Sequence, residues 1–248
     1  MFLKSLSLTA ALALCVTASH ANAALVNHYT FDSDASDSGT MGRNGTLVDN
    51  ASINTTEISR ASGSTGSLDL TAGGYVQLPS GSTDTFGEWT LAMWAKIAQE
   101  PEPDGIAALF TNDAWPPSSN EYIHVNYVPG ELSASVGFPL TYEGVSAPPT
   151  DWIHVAITHQ SVGEGTKLYI NGTEVDSIEL GGPTLIFDSA RVGNWTGQER
   201  PFNGWIDDLR IYDEVLTGSE VMALVPEPTS MALLGLGAVS MLKRRRRS

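Results

Sequence analysis

The feature that most constrains this chain is the repeated alternation, between residues 24 and 224, of short β-branched and aromatic runs with clusters of Gly, Ser, Asn, Asp and Pro. Runs rich in Val, Ile, Thr, Trp and Tyr, punctuated by turn formers, are the pattern of an all-β domain. Strands are expected near residues 25–31, 66–70, 75–78, 89–97, 107–111, 122–127, 132–137, 152–159, 167–170, 173–178, 190–193 and 205–212. The sharpest local signal is Leu168-Tyr169-Ile170-Asn171-Gly172-Thr173-Glu174-Val175. Asn-Gly between two strand-like runs is the favoured two-residue hairpin turn, because both positions need positive φ. Only residues 217–224 read as helix, with Thr217 or Ser219 as the cap. Many short strands without intervening helices predict a two-sheet antiparallel sandwich, and about 200 residues suffice for a substantial core.

Both ends look like addresses rather than parts of that domain. Residues 1–23 have a short basic start with Lys4, an apolar stretch over 6–18 and a small-residue cleavage site at Ala21-Asn22-Ala23, the order of a secretory signal peptide. The only cysteine, Cys15, lies within it, and Leu14 before it is too large for the usual lipoprotein site. The mature chain, starting at Ala24, is therefore expected to lack disulfides and thiol chemistry. At the other end, residues 225–248 hold Val225-Pro226-Glu227-Pro228, an apolar run over 231–242 and Lys243 followed by four arginines. Twelve residues rise about 18 Å as a helix against a hydrocarbon core of roughly 30 Å, so this short transmembrane segment needs Thr229, Ser230 and snorkelling basic side chains to cross. The basic end would then stay on the cytoplasmic side.

The order of Pro-Glu-Pro signal, hydrophobic segment and basic cluster resembles the PEP-CTERM sorting tail. The resemblance implies processing by an exosortase during export through the inner membrane, with the tail as a transient membrane anchor. It places the protein at the cell surface or in the extracellular matrix of a polysaccharide-producing bacterium. Loss of both ends takes six of 13 basic residues and one of 28 acidic ones, leaving 7 against 27 and a formal charge of about −20. Such a body disfavours nucleic acid and anionic lipid, and more readily suits calcium or a neutral polysaccharide.

Within residues 24–224 the motifs fall in a particular order. Residues 25–32 (LVNHYTFD), Asp37-Ser38-Gly39 and Asn44-Gly45-Thr46-Leu47 come first, then residues 74–79 (GYVQLP) and 89–94 (WTLAMW). Residues 152–156 (WIHVA), 168–172 (LYING) and 202–212 (FNGWIDDLRIY) complete the series. Together they resemble the laminin G-like domains of the concanavalin A-like lectin/glucanase superfamily, which implies a jelly-roll β-sandwich. Residues 100–149 are Pro-rich and irregular and depart from the pattern.

Asp207 shares strand parity with Leu209 and Ile211, so it is expected to face the core. A core-facing carboxylate needs a partner: Arg210 or Arg191, backbone amides of a turn, or a cation, for which oxygen ligation favours calcium. The resemblance implies the last, a structural calcium between the C-terminal strand and the N-terminal region with Asp32, Asp37 and Asp207 as its ligands. It would do the work of the missing disulfides.

The ligand candidates come from the opposite parity. With Leu91, Met93, Ala95, Ile153, Val155 and Ile157 inward, Trp94, Trp152 and His154 turn outward; over residues 122–127 either parity is possible, and Ile123 and Val125 as core would turn His124 outward. Aromatic rings beside hydrogen-bonding groups on an open sheet face suit a carbohydrate; rings under loops would only complete packing. Trp115 and Trp195 sit in Pro- or Gly-flanked loop sequence, as ligand contacts or as lids over a sheet edge. Catalytic patterns are missing. There is no Glu and Asp alternation of a glycosidase strand, no His-Glu-x-x-His, no Gly-x-Ser-x-Gly and no phosphate loop. The expectation is a non-enzymatic exported protein, either a carbohydrate-binding adhesive module or a structural calcium-binding matrix protein.

Overall fold

A computed structural model describes residues 23–79, 85–102, 105–112, 123–136, 138–143, 151–160, 165–179, 185–186, 190–195 and 197–226. The expected signal peptide over 1–22, Trp115, Glu227, Pro228 and the apolar run 231–242 lie outside these residues. Among the described residues no helix is long and apolar enough to cross a membrane.

The strands form two large antiparallel sheets, whose central strands, such as Glu88–Ile97 and Ile153–Gln160, are buried on both faces. One runs Thr173–Ile178, Gly165–Ile170, Ile153–Gln160, Glu88–Ile97, Gly204–Tyr212, Ser67–Asp69 and Ser52–Asn54 across its width, with Leu25–Tyr29 paired to the second half of Gly204–Tyr212. The other runs Phe138–Glu143, Glu131–Val136, Ile123–Val128, Ala107–Thr111, Arg191–Val192, Tyr75–Gln77 and Thr46–Val48. A third, two-stranded sheet joins Thr85–Phe86 to Leu185–Ile186. The two large sheets pack face to face as a sandwich. Leu91, Met93, Val155, Ile157, Ile206, Leu209 and Ile211 of one meet Leu109, Ile123, Val125, Leu132 and Val192 of the other in one contiguous core. Asn171 and Gly172 both have positive φ, 49° and 79°, at the hairpin turn that the Asn-Gly pair predicts.

The middle of the outer face of the eight-stranded sheet is covered. The helix Gly218–Ala223 lays Val221 against Ala92, Ala156, Tyr169 and Tyr212, joined by Leu216 and Leu224. Thr217 caps it: its hydroxyl accepts from the Glu220 amide while the Glu220 side chain accepts from the Thr217 amide. Thr217→Ala is expected to cost about 1 kcal/mol in denaturant unfolding, the usual loss for such a cap. Beside the helix, Trp94 and Trp152 pack with Ala61, Trp205 and Val225. Lys96 fastens the 55–64 loop onto this region, with Nζ 2.6 Å from Glu57 Oε2 and 5.5 Å from the centre of the Trp205 ring.

One expectation of orientation is corrected. Asp207 does not share a face with Leu209 and Ile211, because a bulge lies between Asp207 and Arg210: Asp207 pairs with Trp94 and Arg210 with Ala92, so two residues oppose one. The extra residue, Asp208, has φ 49°. Parity therefore reverses, and Asp207 lies on the outer side with Trp94, yet with no exposed surface.

Candidate functional site

Two regions bring polar groups together. The first lies where the second edge of Gly204–Tyr212 changes partner, from Ser67–Asp69 along its first half to Leu25–Tyr29 along its second. A cavity of about 60 Å³ opens there, lined by His28, Asp32, Ser64, Asp207, Asp208 and Arg210 among others. Asp208 is the centre of a charged network: its Oδ1 lies 2.7 Å from His28 Nε2 and accepts from Arg210 Nε at 3.0 Å. Asp207 has hydroxyls and an amide instead. It accepts from the Asp208 amide at 2.7 Å, and Ser64 Oγ lies 2.7 Å from its Oδ2. Burial pushes its carboxyl up to about 6, against the pull of the Ser59 and Ser64 hydroxyls and the Asp208 amide.

Asp32 completes the far wall, its Oδ1 accepting from the Thr65 amide, the Thr65 hydroxyl and the Gly66 amide. The loop comes so close that a Cβ on Gly66 would sit 2.7 Å from the carbonyl oxygens of Phe31 and Asp32, hence glycine at that point. Asp37, expected with these two, is placed elsewhere. Its Oδ1 accepts from the His28 and Gly39 amides and its Oδ2 from Asn27 Nδ2 and the Arg43 amide, so it pins the N-terminal loop. Among the described residues no group of three or more His, Cys, Asp or Glu side chains is placed to hold a metal ion. Calcium at Asp32 and Asp207 would thus draw most of its six to eight oxygens from backbone and hydroxyl groups.

The second region is the outer face of the seven-stranded sheet. Register sets Ser135, His124, Thr111, Arg191, Gln77 and Thr46 side by side on six adjacent strands, a polar row across the sheet. Arg191 lies 4.1 Å over the centre of the Tyr75 ring and donates from Nε to Gln77 Oε1 at 3.0 Å. Tyr75, Gln77, Arg191, Ser133 and Ser135 are half-buried, with apolar neighbours Val76, Leu132, Ala134 and Val192 turned inward. At one end Trp195 stands edge-on to His124, ring centres 5.0 Å apart, with Arg200 4.5 Å over the indole. Burial, helped by Arg200, lowers His124 to about 4, so it acts as a neutral imidazole near neutrality. Arg200 also borders an open cleft of about 540 Å³ with Pro101, Glu102, Gly105, Ile106, Gln198 and Glu199.

The predicted ligand residues divide accordingly. His124 and Trp195 lie together on the seven-stranded side. Trp94 and His154 lie on the sealed side at 1% and 2% exposure, their rings edge-on 5.2 Å apart, and burial lowers His154 to about 4. Their outward parity is as expected from the strand pattern, but both rings are buried, with Ala61 of the 55–64 loop, Trp152 and Val225 packed in the cluster around Trp94, so they complete packing. Tyr75, Gln77, Thr111, Arg191 and Arg200 escaped the sequence reading, although alternation with Val76, Leu78 and Val192 already turns Tyr75, Gln77 and Arg191 outward.

With this geometry in place, known proteins supply the context. A family model described as the concanavalin A-like lectin/glucanases superfamily matches residues 70–222, well over half the chain. The chain belongs to this superfamily. A second model, the PEP-CTERM protein-sorting motif, matches residues 224–247. This lectin-like body is similar to domain 4 of AbnA, an extracellular GH43 arabinanase from Geobacillus stearothermophilus solved with arabinotriose. The match has 25% identity and a TM-score of 0.61 over 82% of this chain and 99% of that one. It is also similar in fold to the binding domain of Paraclostridial Mosquitocidal Protein 1 (18% identity, TM-score 0.61, 82% and 52% covered). The botulinum neurotoxin serotype D ligand-binding domain, solved with N-acetylneuraminic acid, is a third such structure (15%, TM-score 0.56, 82% and 50%). The chain spans about half the length of those two structures. A search of curated proteins finds no significant match.

Proposed function

We propose that the body is a non-catalytic carbohydrate-binding module of an exported surface or matrix protein, gripping a polysaccharide across the outer face of the seven-stranded sheet. The observation that carries this is the polar row with its Tyr75–Arg191 stack on one face, while the middle of the other outer face is covered by its own helix and loop. Rings offer stacking surface to the CH faces of sugars, and hydroxyl, amide and guanidinium groups reach sugar hydroxyls. The likeness to an arabinanase domain solved with arabinotriose supports the reading, at 25% identity over nearly the whole of that domain. The sorting motif supports export and exosortase processing.

The test is retention on a polysaccharide panel that includes the producing cell's own matrix, with calcium and with chelator. Wild type should be retained on one glycan class, and Tyr75→Ala with Arg191→Ala should weaken that affinity at least about tenfold, roughly 1.4 kcal/mol, with melting curves confirming a folded variant. A folded protein retained by nothing would sink the reading.

A structural calcium is the second reading, favoured by one observation: Asp207 is fully buried and has no partner among the described ion pairs. Asp32 and Asp207 would contribute its carboxylates, and the ion would tie the N-terminal region to the C-terminal strand.

A further inference from the structure

The sorting motif begins inside the folded body. Its match starts at residue 224, and Leu224 still belongs to the helix end, its amide donating to the Val221 carbonyl at 3.1 Å. The Val225 amide donates to the Met222 carbonyl at 3.0 Å, and its side chain, like that of Trp205, packs against the cluster of Ala61, Trp94 and Trp152. Val225, first residue of Val-Pro-Glu-Pro, is half-buried there, and Pro226 after it is half-buried too. No linker separates domain from signal. Because an extended chain advances at most about 3.6 Å per residue, any three residues of chain after Val225 reach no further than roughly 11 Å.

We propose that the folded body docks the first residue of its own sorting signal in this tryptophan pocket, and that this docking restrains processing of the tail. An enzyme that grips an extended Pro-Glu-Pro segment needs clearance from the globular body on which the preceding residue is seated. Clearance requires Val225 to leave the pocket, which exposes apolar surface of Val225 and of the cluster of Ala61, Trp94 and Trp152 to water. Processing therefore runs fastest on chains whose C-terminal segment has not yet docked, and folding of the body and removal of the tail compete in time.

Two variants of the full chain test this. In the first, a second Val-Pro-Glu-Pro follows the native Leu224-Val225 after an eight-residue Gly/Ser linker, keeping the docked valine and giving the signal free reach. Pulse-chase in the producing cell should show roughly tenfold faster conversion to the processed form, about 1.4 kcal/mol of docking free energy, with an unchanged melting temperature. Unchanged or slower conversion would overturn the restraint. In the second, Val225→Asp should lower the melting temperature by several degrees and shift tryptophan emission to the red. Wild-type emission and melting would overturn the docking itself.

Discussion

Trp94→Ala is expected to destabilise the body by about 3–5 kcal/mol, the usual cost of deleting a large aromatic from a packed site. Trp94 is 1% exposed and holds the centre of the sealed face, between Trp152, Trp205 and the His154 ring. An alanine there leaves a cavity that Trp152, Ala61 and Val225 can fill only by lifting the 55–64 loop or the end of the C-terminal helix. Urea unfolding monitored by circular dichroism measures the loss. Trp94→Phe, which keeps much of the volume, should cost less and leave glycan affinity untouched. A Trp94→Ala protein of native stability that had lost glycan affinity would contradict the sealed face and return Trp94 to the ligand.

Asp207→Asn is expected to act in the opposite direction. The folded pKa of Asp207, about 6, lies above the ordinary 3.8, so between pH 4 and 6 the folded state holds more protons than the unfolded one. Its contribution to stability is present below pH 4, falls as pH rises through 6, and is then flat. Without calcium, Asn at this position should therefore raise stability at pH 7 by up to about 3 kcal/mol, given 1.36 kcal/mol per pKa unit, and change it little at pH 4. Ser64 permits the exchange on its side, since its one proton can go to the Gly66 carbonyl, 3.0 Å away, while its oxygen accepts from the new amide; the Ser59 hydroxyl then donates to the remaining Asn oxygen or turns away. Calcium should stabilise wild type and not the variant, since the ion offsets the buried charge that Asn lacks. His154, whose pKa of about 4 is depressed by burial, makes both proteins less stable as pH falls from about 6.5 to 4, so the difference between them isolates Asp207. Thermal melts from pH 4 to 7, with calcium and with chelator, decide it. A variant weaker than wild type at pH 7 in chelator, or one with an undiminished calcium response, would contradict this role.

The long strands were legible because period-two alternation and Asn-Gly chemistry are local properties. Ala107–Thr111 and Thr173–Ile178 fall where the pattern puts them, and Thr217 is the helix cap. Thr46–Val48, Ser52–Asn54, Thr85–Phe86 and Leu185–Ile186 escaped, since two or three residues show no period and exist only through their partners. Phe138–Glu143 escaped because Pro139 argues against a strand; it is an edge strand, where a proline is tolerated. The site was legible only in part. Parity turned Trp94 and His154 outward correctly, but Ala61 and Val225, which pack in the cluster with Trp94, come from far along the chain. The bulge at Asp208 inverted the facing of Asp207, and no sequence period announces an inserted residue. The row from Ser135 to Thr46 needs the registers of six strands at once, which no local pattern supplies.

The most direct test uses the six tryptophans as reporters. With 5-fluorotryptophan incorporated and each ¹⁹F resonance assigned by substitution, the folded body is titrated with the polysaccharide that retains it. The expected result is a saturable shift of Trp195, beside the polar row, with Trp94, Trp152 and Trp205 unmoved under the helix and loop. Shifts confined to Trp94, Trp152 or Trp205, or a Trp195 signal unmoved at saturation, would contradict recognition by the outer face of the seven-stranded sheet.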